Sequence, residues 1–212
     1  MDGTAVEVRA VESVGSDTVA VELETPPEFD AAPGQFVTVE ATIDGESVTR
    51  YYTLSSPNVD GTFEVTVEVD PEGELGPWLA DADSGTVVEV AGPFGRSSYE
   101  GEERLVVIAG GPGVGPAVGI GERALDDGNE VAIVYRDETH AHGDRLHALE
   151  DAGVPTLLLD GDEGLTDALA QAIDTVGGQV FVYGFAAFVE EARDVLDEMG
   201  IDPTDAKVEN FG

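Results

Sequence analysis

The chain has 212 residues, 42% of them hydrophobic, which suits two compact domains of about a hundred residues each with a buried core. Forty-five acidic residues stand against nine basic ones, a formal charge of −36 with Lys207 the single lysine. No basic stripe is left to neutralise phosphates, so neither nucleic acid nor an anionic membrane is expected as a partner.

The absence of cysteine excludes disulfides, Cys-ligated zinc and Cys-bound iron–sulfur clusters. No apolar run reaches the roughly 18 residues that cross a bilayer. The opening Met1-Asp2-Gly3-Thr4 has neither the basic nor the apolar region of a secretory leader. A soluble cytoplasmic protein without membrane insertion is therefore expected. Self-repulsion at this charge destabilises a compact state at low salt, whereas at molar salt the screening length falls to about 3 Å. The composition points to the salt-rich cytoplasm of a halophile.

In chain order, residues 6–14 and 18–24 alternate apolar and polar side chains around Gly15-Ser16-Asp17, which predicts a hairpin. Pro33-Gly34 opens a third strand over 35–42, and Asp44-Gly45 turns into a fourth over 48–54. Residues 63–69 and 86–90 complete six short strands before Gly92-Pro93-Phe94-Gly95, the pattern of a small antiparallel β-barrel. Between the last two, Gly73-Glu74-Leu75-Gly76-Pro77-Trp78-Leu79-Ala80 carries Pro at a first helical position. A helix start there offers free N–H groups to a phosphate. The same residues also suit a plain turn anchored by Trp78.

The fourth strand contains the stretch Arg50-Tyr51-Tyr52-Thr53-Leu54-Ser55-Ser56-Pro57. It sets a scarce cation beside two aromatic rings and small hydroxyls. A flavin dinucleotide asks for that mixture: a guanidinium fork for the pyrophosphate, a flat ring for the isoalloxazine, a hydroxyl beside the hydride-accepting atom. An amphipathic strand with core tyrosines and a solvated arginine has the same pattern.

Residues 97–103 are polar and mark the boundary between expected domains 1–99 and 100–212. Beyond it the period changes. An apolar run at 105–109 leads through Gly110-Gly111-Pro112-Gly113-Val114-Gly115-Pro116 into a helix reaching about residue 125. Strands are predicted at 131–135, 156–159, 180–182 and near Val208, and helices over 144–152, 165–175 and 186–199. This alternation predicts a Rossmann-like α/β domain with a parallel sheet. Gly110, Gly111, Gly113 and Gly115 would let the backbone approach a pyrophosphate, and no Walker lysine follows them. Ligands are expected at the carboxyl edge, among residues 110–115, Tyr135-Arg136 and Tyr183-Gly184. Arg136 and Arg145 could each meet a 2′-phosphate while Asp137 and Glu138 would repel one, so NADH and NADPH both stay open. His140, His142 and His147 read as a solvated loop and helix face, and no metal site is expected.

Taken together, Arg50-x-Tyr52-Thr53, Gly73-x-x-Gly76-x-x-Leu79, Gly92-Pro93-Phe94-Gly95, Ala109-Gly110-Gly111-Pro112-Gly113, Tyr183-Gly184 and Glu209-Asn210-Phe211 resemble the ferredoxin–NADP(+) reductase family over nearly the whole chain. The resemblance implies an FAD-binding barrel followed by a nicotinamide-dinucleotide domain. It implies that Arg50 holds the flavin pyrophosphate, Tyr52 packs on the flavin with Tyr51, Leu54 and Ser55 nearby, and Thr53 bonds beside the reactive nitrogen. Gly73, Leu75, Gly76, Pro77 and Trp78 would supply the pyrophosphate seat. Gly110, Gly111 and Gly113 would line the nucleotide diphosphate, Tyr183 and Gly184 would border the nicotinamide, and Glu209 and Phe211 would close the active site. Thr53, Glu209 and Tyr183 are thus the expected catalytic residues. Three positions depart from the family: Pro112 replaces Ser or Thr, Tyr183-Gly184-Phe185 replaces Cys-Gly-Pro, and Gly76 replaces Ser or Thr.

The expected activity is electron passage between NADH or NADPH and a separate redox protein such as a ferredoxin, by hydride transfer to flavin N5. Reduction of free flavin, service as the electron-transfer subunit of a larger enzyme, and a dinucleotide sensor without turnover remain alternatives.

Overall fold

The computed structural model describes residues 3–211; Met1, Asp2 and Gly212, the outer ends of the two expected domains, lie outside the described residues. Alternating side chains in the first half build β1 (Thr4–Ser13), β2 (Thr18–Glu24), β3 (Phe36–Ile43), β4 (Glu46–Thr53), β5 (Thr62–Glu68) and β6 (Val87–Phe94). They pair antiparallel in the order β4-β3-β6-β1-β2-β5. The two edge strands then meet through a bridge between Leu54 and Val65 and a 2.8 Å bond from the Ser55 N–H to the Glu64 carbonyl, which closes the sheet into a barrel. Val8, Val21, Leu23, Val37, Val39 and Val65 fill its interior, and α1 (Leu75–Ala80) seals one opening with Leu75 and Leu79.

The second half runs β7 (Arg104–Gly110), a single 3-10 turn (Gly111–Gly113), α2 (Val114–Asp126), β8 (Glu130–Arg136), α3 (Gly143–Asp151) and β9 (Thr156–Leu159). It continues through α4 (Thr166–Thr175), β10 (Gln179–Gly184), α5 (Ala186–Glu198) and β11 (Lys207–Asn210). The strands are all parallel in the order β11-β10-β7-β8-β9. Both faces are covered. Leu105, Val107 and Ile133 pack in the core that holds α2 and α3, while Val106, Ile108 and Val134 pack in the core that holds α4 and α5. That two-sided burial is why these strands are continuous apolar runs. The winding reverses between β7 and β10, and the crevice at their carboxyl ends is where such sheets take ligands. The two-part fold class expected from the sequence is therefore the observed one. No helix among the described residues is long and apolar enough to cross a membrane.

The halves meet on the polar face of β5. Gly115 and Gly119 put α2 against it: a Cβ at Gly115 would stand 2.5 Å from Thr66 Oγ1, and one at Gly119 would stand 2.8 Å from the Ser55 carbonyl. Gly115 is thus a packing glycine. Arg145, on α3, donates Nε and Nη2 to the Glu122 carboxylate at 2.7 and 2.8 Å, Nη1 to Glu64 Oε1 at 2.7 Å, and Nη2 to the Ser55 carbonyl at 2.7 Å. Its expected 2′-phosphate role is corrected by this: all of its charge faces the seam. His142 is likewise not solvated. It is 3% exposed, its Nε2 lies 2.7 Å from Thr66 Oγ1, and its Nδ1 has no hydrogen-bond partner.

Two outcomes follow from this seam. Arg145→Ala would leave Glu64 and Glu122 facing each other half-buried, and urea unfolding is expected to register a loss of about 2 kcal/mol, between the values for exposed and buried pairs. Burial, then the Arg145 guanidinium, pushes the His142 ring down to about 3 from 6.5. The unfolded state therefore binds more protons between those values, and the folded state loses stability as pH falls through them. His142→Asn suits the same backbone, whose φ is 55°. Stability measured for both proteins should differ by a constant above pH 6.5. Below it the wild type should fall relative to the variant by up to about 1.4 kcal/mol per pH unit. A pH-independent difference would refute the assignment.

Candidate active site at the junction of the two sheets

A cleft of about 320 Å³ opens between the barrel and the carboxyl edge of the parallel sheet. The end of β4 supplies Arg50, Tyr51, Tyr52 and Thr53; the end of β5 and the turn beyond it supply Thr66, Glu68 and Asp70. The α1 segment adds Gly73, Glu74, Leu75, Gly76 and Pro77, and the second half contributes Pro112, Phe185 and Phe211.

The Arg50 guanidinium is only loosely engaged. It donates to its neighbour's carbonyl, Thr49 O, at 2.8 Å and stands 4.0 Å from Glu74. Tyr52 packs against the barrel core, and burial, partly opposed by Arg50, pushes its hydroxyl up to about 12. Tyr51 is 70% exposed and meets Phe36 edge-on at 5.8 Å. Thr53 is buried. From the opposite side, the Phe211 N–H donates to the Gly184 carbonyl at 3.0 Å and its ring stands edge-on to Phe185 at 6.1 Å.

A second cavity of about 270 Å³ adjoins the first along a wall made by Glu68 and Phe185, which line both. Gly110, Gly111, Arg136, Asp137, Glu138, Gly161 and Phe188 form the rest. Gly111 has φ +54°, a left-handed turn residue. Gly110 is bare for another reason: a Cβ there would sit 2.6 Å from the Phe188 ring. Burial, reinforced by the carboxylates of Asp17, Asp137 and Asp70, raises the Glu68 pKa.

Several expected site residues lie elsewhere. Leu54 is core, and Ser55 faces the seam with its hydroxyl on Glu64 Oε1 at 2.8 Å. Trp78 borders a separate hollow with Asp81 and Asp83. Gly113 abuts the Tyr183 carbonyl, and a Cβ at Gly184 would meet the Phe188 ring at 2.7 Å, so both serve close packing. Tyr183 is fully buried, stacked near Phe181, and its hydroxyl donates to the Ser97 carbonyl through the space that Gly34 leaves without a Cβ. Its side chain therefore reaches into the seam and lines neither cavity. Glu209 is half-buried beside Gly95, with its pKa raised by burial, and lines neither cavity either. Thr66, Glu68 and Phe188 escaped the sequence reading. The signal for the first two was present, since they fall two apart on the polar face of β5.

The donor set suits a flavin dinucleotide. Flat apolar walls face a ring system, an underused guanidinium suits a diphosphate, and the buried Thr53 contributes a hydroxyl. Residues 5–99 match the oxidoreductase FAD-binding domain family. The reductase subunit of glycine betaine monooxygenase from Chromohalobacter salexigens is 29% identical across 88% of this chain, which spans 58% of that protein. The flavohemoglobin-like FAD/NAD-binding domain of a nitric oxide dioxygenase from Vibrio cholerae superposes with a TM-score of 0.88 over the full length of both chains at 22% identity. A cytochrome P450 reductase from Amycolatopsis gives 0.82 at 24% identity over all of this chain and 70% of its own. At such identities these two likenesses speak for the fold. The barrel is thus matched as an oxidoreductase FAD-binding domain, and the whole chain has the two-domain fold of an FAD/NAD-binding domain.

Proposed function

We propose that this oxidoreductase moves electrons from NAD(P)H through FAD to a separate redox protein, with residues 1–99 as the flavin domain and 100–212 as the nucleotide domain. The observation that carries the reading is the shared wall: Glu68 and Phe185 border both cavities, so a ligand in one abuts a ligand in the other. FAD, when bound, supplies the conversion between a hydride donor and one-electron acceptors.

The chain's own residues then have distinct tasks. Arg50 meets the diphosphate with a fork that Glu74 holds only at 4.0 Å. Tyr52 presents a ring fixed by the barrel core and stays un-ionised, its pKa being about 12. Thr53 offers a buried hydroxyl, and the backbone of Gly73, Leu75 and Gly76 borders the same cleft. Phe211, tethered to Gly184, covers the cleft from the second half and keeps water from it. Gly110 and Gly111 form the turn that a nucleotide diphosphate approaches, and Pro112 beside them reaches the flavin side. Tyr183 acts by holding the seam through its hydroxyl on the Ser97 carbonyl instead of touching the reacting rings, and Glu209 borders neither cavity. The relative named as the reductase subunit of a monooxygenase favours an oxygenase-type acceptor.

Arg50→Ala is expected to weaken FAD binding about 10- to 100-fold, the worth of one charge-assisted contact, read by fluorescence titration. Unchanged affinity would remove Arg50 from this role. Anaerobic addition of NADH or NADPH to the FAD-loaded protein should bleach the visible flavin band, and a one-electron acceptor should restore it. A band that persists with FAD bound would defeat the proposal.

A further inference from the structure

Arg136 ends β8, the second strand of the parallel sheet in chain order, where such sheets contact the adenosine ribose of a dinucleotide. It is the one cation among the residues lining that cavity. Three of its five N–H donors are engaged: Nη1 donates to Glu191 Oε1 at 2.7 Å and to the Glu163 carbonyl at 2.8 Å, and Nη2 donates to Glu191 Oε2 at 2.6 Å. The Phe188 ring lies 5.2 Å from it. The Glu191 carboxyl is held below, and the Arg136 guanidinium above, its ordinary pKa by this pairing.

Two carboxylates occupy the rest of that edge. Asp137 accepts the Tyr135 hydroxyl at 3.0 Å and the Glu138 N–H at 2.7 Å, which fixes its orientation. Glu138 lies against Gly161, where a Cβ would come within 2.9 Å of its Cγ. A 2′-phosphate brings about −1.5 to −2 charges and needs a free guanidinium or ammonium. A 2′-hydroxyl needs only an acceptor, and carboxylates are acceptors.

We propose that Glu191, by closing a bidentate pair on Arg136, makes this cavity select NADH over NADPH, with Asp137 and Glu138 accepting the ribose hydroxyls. Glu191 is a positioning residue that acts through Arg136. The inference rests on the proposed flavin and nucleotide reading, and its test separates the two.

Steady-state flavin reduction by both nucleotides should give the wild type a kcat/KM at least about tenfold higher for NADH. Glu191→Gln, at a side chain 41% exposed and so harmless to the core, should narrow that ratio about tenfold. The gain should lie in a lower KM for NADPH with kcat unmoved. A wild type that favours NADPH, or a variant that shifts both nucleotides in parallel, would overturn the selectivity. Calorimetric binding of ADP-ribose and of its 2′-phosphate needs no electron transfer. If neither nucleotide bleached the flavin, the proposed function would fall while tighter binding of ADP-ribose still upheld the selectivity. Equal or reversed binding, or no binding of either, would overturn it.

Discussion

Everything in the cleft depends on the clamp that Arg145 closes between the two sheets. One guanidinium engages Glu122 on its own half and both Glu64 and the Ser55 carbonyl on the barrel. Low exposure on all three charged groups keeps the pairing from the full screening that weakens surface pairs. The anchored positions are neighbours of the functional ones. Ser55 follows Thr53 by two residues, and Glu64 precedes Thr66 and Glu68 on the same face of β5. Fixing the seam therefore fixes the walls of the cleft.

Positive charge is so scarce here that its distribution reads as a plan of the molecule. Arg9, Arg104, Arg123, Arg136, Arg145 and Lys207 each stand within 3.2 Å of a carboxylate, whereas Arg50 reaches its nearest only at 4.0 Å. Several of those pairs are exposed and contribute little stability singly. Arg50, the one cation among the residues lining the flavin cleft, is thereby left without a close carboxylate and can meet an anion there.

Much of this was legible from periodicity alone. Alternation marked the barrel strands, continuous apolar runs marked the parallel ones, and the glycine-rich turn after β7 marked the ligand edge. Alternation says only that half of a strand avoids the core, however; it does not say what covers that half. The polar face of β5 lies under α2 and α3, which alternation does not show. Its partners are distant in the chain, Glu64 to Arg145 across 81 positions and Thr66 to His142 across 76, which no local pattern encodes. Tyr183 was expected beside the nicotinamide, and its place in the seam was hidden for the same reason, because its hydroxyl seeks a carbonyl 86 positions away. The same long reach hid Glu191, whose link to Arg136 spans 55 positions.

Lys207 begins β11, yet its ammonium reaches the connector between the sheets, at 2.8 Å from the Ser98 carbonyl and 2.6 Å from both Glu100 and Glu102. Because the sequence contains one lysine, the sole side-chain amine is also the rivet of that strap. Acetylation, or any reagent that erases an amine's charge, would find no neutral surface to decorate. It would act on the fastening between the two halves.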